Sequence, residues 1–229
     1  MCGRFVQSSL AEDYARFFGV DERNFPNLMP CYNVAPTQTT WACIVGAEGK
    51  RHLTSLRWGL VPHWSKGPDS RYSMINARAE TVHEKLAYRD AFRHRRCLIP
   101  ADGFYEWKPG NGKQPFFIHR QEGQPMAFAG LWEHWKDRES EEVLNSCAII
   151  VTEANELMRP IHDRMPVILE PEGFRRWPET DPQDALGLLS LLGPTPAQGL
   201  KVYPVSKAVN NPNNDGRELI DRLKADEGY

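Results

Sequence analysis

No run of apolar residues in this sequence of 229 approaches the roughly 18 that a membrane-spanning helix requires, so no transmembrane segment is expected. Met1-Cys2-Gly3-Arg4 lacks the apolar stretch of a secretory signal, and a soluble, cytoplasmic protein is the expectation. Cysteine is scarce: five residues, at positions 2, 31, 43, 97 and 147, form an odd set without a Cys-x-x-Cys spacing. That argues against a disulfide framework and against a zinc knuckle. A surplus of either charge is also missing, because 28 basic residues face 30 acidic ones and leave a net charge of −2. Attraction of the whole molecule to nucleic acid is therefore not expected, and any such binding must come from a local cluster. There is no His-Glu-x-x-His, no Cys/His pair at zinc spacing and no glycine-rich phosphate loop, so the chemistry is expected to need neither metal nor cofactor. No repeat, low-complexity tract or linker divides the chain. One domain over 1–229 is expected, with a core over 1–223 and a loose tail over 224–229.

What is present suits a globular fold: 41% hydrophobic and 25% charged residues exclude disorder as the general state. A chain of this length can bury on the order of 70% of its unfolded surface. A helix is predicted over Leu10–Phe18, with Leu10, Tyr14, Phe17 and Phe18 on one face, Ser9 and Glu12 as a capping box, and Gly19 at the exit. Pro26–Pro36 reads as irregular. Trp41–Val45 and His52–Trp58 read as a strand pair around a Gly46–Lys50 turn, and Thr81–His94 as a second helix. From Cys97 the texture is β: Cys97–Pro100, Phe104–Trp107, Pro115–His119, Met126–Trp132, Leu144–Thr152 and Pro166–Leu169 are predicted strands. Glu172–Trp177 and Gln183–Leu191 look helical, and a strand near Lys201–Val205 precedes a last helix, Gly216–Leu223. Strands bunched in the middle with helices outside them predict an α+β fold rather than an alternating parallel sheet.

Four of the cysteines read as small core hydrophobes; Cys43 and Cys147 in particular sit in apolar runs. Cys2 differs. Methionine is usually removed ahead of a small residue, and a chain starting at Cys2 carries an amine and a thiol on neighbouring carbons. Their reference pKa values, about 7.7–8.0 and 8.5, make both nucleophilic near neutral pH. An aldehyde meeting that pair forms a Schiff base with the amine, after which the thiol closes a thiazolidine ring. An internal cysteine cannot do this, because its nitrogen is an amide.

Asn76-Ala77-Arg78-Ala79-Glu80 combines an amide, a phosphate-compatible guanidinium fork and a carboxylate. Such a set equally suits capping and surface pairing. Glu106, between Tyr105 and Trp107 in a predicted strand, is either desolvated for acid/base work or turned outward to water by strand alternation. His162, in Pro160-Ile161-His162-Asp163-Arg164-Met165-Pro166, is the residue type suited to proton transfer at neutral pH, with Asp163 placed to orient it. Lys85, Arg89 and Arg93 recur every four residues and would share one face of the second helix. With Arg4, Trp58 and Trp64 they supply cations beside aromatics, the combination that holds single strands.

Taken together, the sequence resembles the SRAP family, the SOS-response-associated peptidases, whose members shield abasic sites in DNA. The resemblance rests on an ordered set: Met1-Cys2-Gly3-Arg4-Phe5, Tyr32-Asn33-Val34-Ala35-Pro36, Arg57-Trp58-Gly59, Asn76 to Glu80, Cys97 with Pro100, Gly103 and Tyr105-Glu106-Trp107, Thr152, His162 to Pro166, and Val205-Ser206. It implies a compact α+β domain on a curved antiparallel sheet or barrel with peripheral helices. It implies that Cys2 crosslinks to the ring-opened aldehyde of an abasic site in single-stranded DNA. Asn76 would then hold the Cys2 end, Glu106 would assist proton transfers, and His162 would act on sugar ring opening and imine chemistry. Arg4, Arg78 and Arg164 match positions that contact phosphates, and Asn33, Trp64, Lys85 and Arg89 complete the expected DNA-binding set. His63 stands where some members carry a second tryptophan. A monomer, associated with the nucleoid when bound to damaged DNA, is the expected state.

Two other classes fit part of the sequence. N-terminal-nucleophile amidohydrolases also begin Met-Cys-Gly and use the cysteine thiolate on an amide, yet Asn76, Arg78, Glu106 and His162 have no evident job there. A non-catalytic single-strand binder would keep the basic segment and tryptophans without needing Cys2 at the terminus.

Overall fold

The computed structural model describes residues 2–21, 25–46, 48–68, 74–110, 112–137 and 139–224. The expected loose tail, 224–229, lies outside them apart from Lys224. The strands, in chain order, are β1 (Phe5–Gln7), β2 (Cys31–Val34), β3 (Thr39–Val45), β4 (Arg51–Trp58), β5 (Asn76–Arg78), β6 (Arg96–Ala101) and β7 (Gly103–Lys108). They continue with β8 (Gln114–Arg120), β9 (Met126–Lys136), β10 (Val143–Glu153), β11 (Arg164–Pro166), β12 (Ile168–Leu169) and β13 (Leu200–Pro204). The helices are α1 (Ala11–Phe18), α2 (Arg89–His94) and α3 (Gly173–Glu179), with 3₁₀ segments at Pro182–Leu191, Lys207–Asn210 and Arg217–Ile220. Among the described residues, no helix is long and apolar enough to cross a membrane.

The larger sheet closes on itself. β10 pairs β4, β4 pairs β3, β3 pairs β6, β6 pairs β9, and β9 returns to β10. These pairings are antiparallel except β10–β4, and the short β5 also lies parallel to β10. The smaller sheet, β13-β8-β7-β1-β2, is antiparallel throughout. This is the α+β architecture that the pattern of elements predicts.

Both faces of the ring are covered, which is why its strands read as continuous apolar runs. On β10, Cys147, Ile149 and Val151 join an apolar cluster that includes Cys2, Phe5, Trp58 and Phe128. The alternate residues Ala148 and Ile150 pack into a second cluster with Phe18, Phe174 and Trp177 from the helices. The same period of two splits β6, with Cys97 and Ile99 on one side and Leu98 on the other. Cys43, Cys97 and Cys147 are fully buried, as expected of core residues, while Cys31 is half-buried.

Several local expectations change in three dimensions. α1 ends at Gly19 with φ of 65°, as predicted, but Ser9 does not cap it. Ser9 instead donates to Asp102, whose carboxylate also accepts from the backbone N–H groups of Ser8 and Ser9 and from the Tyr14 hydroxyl. A long-range acceptor has displaced the local cap. Leu10 is exposed, so the apolar face of the helix is Tyr14, Phe17 and Phe18, with Phe17 packed against Phe174. The stretch expected to be irregular contains β2, which gains its backbone partners from β1. The predicted Thr81–His94 helix is helical only over Arg89–His94, with turns before it. Val82 is buried and Leu86 is 58% exposed, so these residues do not share a face, as a continuous helix would demand. Gln183–Leu191 and the last predicted helix are 3₁₀ segments.

Candidate active site

The pairing of β1 with β7 builds the site. Phe5 lies opposite Phe104, and the Tyr105 N–H donates to the Arg4 carbonyl at 3.0 Å. Continuing that register brings the start of the chain alongside Glu106. On its other side β7 is crowded by β8, which requires glycine at position 103, where a Cβ would stand 2.2 Å from the Phe117 ring and 2.8 Å from the Ile118 carbonyl oxygen.

Cys2 is fully buried. Burial pushes its thiol well above the ordinary cysteine range, and the charge of Glu106 pushes in the same direction. Glu106 is 2% exposed, which answers the question alternation left open. Burial raises its carboxyl above the usual carboxylate range, against the opposing attraction of His162. Asn76, at the start of β5, donates from Nδ2 to the Cys2 carbonyl at 2.7 Å. Its backbone carbonyl accepts from the Tyr88 hydroxyl at 3.0 Å, so Tyr88 ties the segment carrying Lys85 and Arg89 to the site.

His162 arrives from the turn before β11. Its Nδ1 accepts from the Arg164 N–H at 3.0 Å and lies 2.8 Å from the Asp163 carboxylate. The neutral ring that accepts from Arg164 carries its proton on Nε2, whereas the cation presents Nδ1–H to Asp163. Asp163 is therefore placed as the sequence suggested.

A cleft of about 580 Å³ opens here, lined by Arg4, Glu106, Trp107, Lys113, His162 and Asn210 among others. Arg4 is anchored rather than swinging free: Nη1 donates to Asn33 Oδ1 at 2.8 Å and to the Val209 carbonyl at 3.0 Å. Asn33, only 1% exposed, also donates from Nδ2 to the carbonyls of Asn211 and Asn214, so it stands behind the cleft instead of facing it. Beyond His162, Arg164 forms an ion pair with Glu80, and Arg78 is exposed on β5 beside β10. Trp64, Lys85 and Arg89 are exposed as well, but no contact among the described residues joins them to the cleft wall.

A model of the family described as SOS response associated peptidase (SRAP) matches residues 1–212. The chain belongs to the SRAP family. The abasic site processing protein YoaM of Bacillus subtilis is 44% identical, over 96% of this chain and 98% of its own length. The abasic site processing protein YedK of Escherichia coli is 37% identical, over 96% and 99%. Among solved structures, a phage-related protein from Bordetella bronchiseptica superposes with a TM-score of 0.71 at 32% identity, covering 90% of this chain and 95% of that one. A Bacteroides thetaiotaomicron protein shares the fold at a TM-score of 0.84 and 24% identity, covering 97% and 100%.

In this SRAP chain, the sequence motifs missed Tyr88, Asn210 and Lys113. An aromatic three residues beyond a basic position and a lysine in a glycine-bearing turn carry no local signal of a site. Among the described residues, His63, Asp90 and Glu133 bring ligand atoms within 4.8 Å of one another. Arg95 donates from Nη2 to both carboxylates, at 2.7 Å to Glu133, so a guanidinium already compensates the charge that a cation would meet. A larger cleft, about 700 Å³ beside Lys50, Arg51, Arg175 and Glu179, has Arg51 fastened to Glu179 and to the Phe18 and Phe174 carbonyls.

Proposed function

We propose that this chain senses and shields abasic sites in single-stranded DNA, capturing them covalently through Cys2 once Met1 has been removed. The observation that carries the reading is the Asn76 hydrogen bond to the Cys2 carbonyl beside a buried Glu106 whose carboxyl is shifted toward its neutral form. Its relatives carry the name abasic site processing proteins, and the same activity is inferred for this one.

The steps follow from the groups present. The Cys2 amine attacks the C1 aldehyde of the ring-opened sugar, and the carbinolamine loses water to give a Schiff base. The thiol sulfur then bonds to the imine carbon, and its proton passes to the nitrogen, closing a thiazolidine with one water released overall. A thiol kept protonated by burial suits second place in this order. It does not suit an amidohydrolase, which needs the thiolate first. Glu106 is the proton carrier for loss of water and for thiol addition. His162 opens the sugar and assists the imine steps. Arg4, Arg78 and Arg164 hold phosphates, with Lys85 and Arg89 further along the strand and Trp64 stacking on a base. Asn33 acts through Arg4. The chain works as one SRAP domain and as a monomer in the cytoplasm, on the nucleoid when bound.

The test is incubation with an oligonucleotide carrying one abasic site, read on a denaturing gel with intact-mass analysis. Wild-type protein lacks Met1 and gains the oligonucleotide mass minus one water. Cys2→Ser yields a Schiff base only when borohydride traps it. An equally heat-stable adduct from Cys2→Ser without borohydride removes the thiol from the linkage and sinks the thiazolidine. Active protein that retains Met1 sinks the amine.

A further inference from the structure

Besides Arg4, Glu106 and His162, the cleft is lined by residues of two segments that the reaction above does not use. One is the turn between β7 and β8, where Lys108 pairs with Gln114 and Pro109 and Lys113 line the cleft. The other is the 3₁₀ segment Lys207–Asn210. A hydrogen bond of 2.7 Å from Trp107 Nε1 to Asn210 Oδ1 joins them. A second contact brings two cations together: a Cβ at Gly112 would lie 2.8 Å from Lys207 Nζ, so the ammonium packs directly over the glycine next to Lys113.

Lys113 holds a backbone conformation that lysine rarely adopts, with φ of 41°. Glycine meets such a demand without strain, and the same turn uses it at Gly110 and Gly112. A strained non-glycine residue on the wall of a cleft points to a use for its side chain. Among the described residues neither Lys113 nor Lys207 has an ion-pair partner, and the carboxylate lining the cleft, Glu106, is buried and shifted toward its neutral form. With Arg4, which lines the same cleft, the two lysines add positive charge to the site. Low-dielectric walls concentrate such a field on an anion entering the cleft.

We infer that Lys113 and Lys207 form a second phosphate clamp, which takes the phosphodiester on one side of the abasic nucleotide while Arg78 and Arg164 take the other. The inference rests on the abasic-site reading and extends it. The strand is held on both sides of the reacting sugar, so a substrate whose phosphates continue on one side only loses half of its grip. Lysine suits this role, because a point charge tolerates the varied directions of a flexible single strand.

The experiment measures binding of an oligonucleotide with one abasic site across a salt series, for wild type, Lys113→Gln, Lys113→Gly, Lys113→Gln/Lys207→Gln, and Lys50→Gln as an exposed control. Each clamp cation removed is expected to flatten the slope of log affinity against log salt by about 0.7. Lys113→Gly should show the same loss while its thermal midpoint holds or rises, because glycine relieves the turn. Wild type that crosslinks while Lys113 variants keep its slope and affinity overturns the clamp alone. A lower midpoint for Lys113→Gly overturns the argument from strain. Wild type that forms no crosslink overturns the underlying reading.

Discussion

Asn76 Nδ2 donates to the Cys2 carbonyl at 2.7 Å, while Oδ1 of the same side chain is buried without a hydrogen-bond partner among the described residues. One amide therefore makes a bond to the chain start and leaves an acceptor unsatisfied beside it. A buried orphan costs about 1–3 kcal/mol, roughly what the made bond and packing return. In the proposed reaction that acceptor takes a hydrogen bond from the N–H of the freed amine or from the carbinolamine.

Asn76→Ala should consequently cost only modest thermal stability, because the removed orphan partly offsets the buried Cys2 carbonyl that is left unpaired. Crosslinking should fall steeply. Differential scanning fluorimetry beside a timed gel assay checks the pair of outcomes, and a large drop in stability would make Asn76 structural only.

Glu106→Gln should slow crosslinking by roughly 10²–10⁴ if the carboxyl is a general acid/base. It should also alter stability with pH in a defined direction. The native carboxyl is raised above its ordinary value of 4.5, so the folded state holds the proton more tightly than the unfolded state. Wild type is then most favoured below about pH 4.5 and loses that contribution as pH rises through the raised value. Glutamine cannot ionise. The variant should have the higher melting temperature at pH 8, with the gap closing toward pH 4. Equal melting curves across that range would contradict the burial argument.

Asn33→Asp should be more destabilising at pH 7 than Asn33→Ala. Alanine removes the tether and costs about 1–3 kcal/mol through orphaned partners. Aspartate keeps the acceptor for Arg4 but replaces the donor with an oxygen facing the carbonyls of Asn211 and Asn214. Urea denaturation orders the two, and both should weaken DNA binding by freeing Arg4. Intact affinity in a folded variant would detach Asn33 from the site.

Glu80→Gln should strengthen binding to abasic single strands. The Glu80 carboxylate holds Arg164 in an ion pair, and a phosphate must compete with it. Releasing the guanidinium should steepen the salt slope by up to about 0.7, whereas Arg78→Glu should weaken all sequences alike, since phosphates carry no base identity. Anisotropy titrations on two unrelated sequences check both.

Much of the site was legible in residue order. Cys2, Asn76, Glu106 and His162 of the candidate site each stand in a motif that carries the family resemblance, and the hairpin of β3 and β4 pairs Val45 with Arg51 across the predicted turn. The burial of Glu106 was not legible. Every residue of β7 from Gly103 to Glu106 is buried, so alternation along that strand does not separate core from water. Nor was the break at Lys85, because a four-residue repeat of cations marks a helix face only when the apolar residues between them also share one.

By itself, the sequence determined which nucleophiles are available and most of the strands and turns, because nucleophile identity, period-two patterning and glycine placement are local properties. Tertiary structure alone decided which groups meet. The register of β1 against β7 brings the chain start to Glu106, Asp102 draws Ser9 away from capping α1, and the 207–214 segment folds back onto Asn33 and Trp107. Those partners stand dozens to nearly two hundred positions apart. Their contacts arise from closing the ring and burying both of its faces, an energy that no window of neighbouring residues contains.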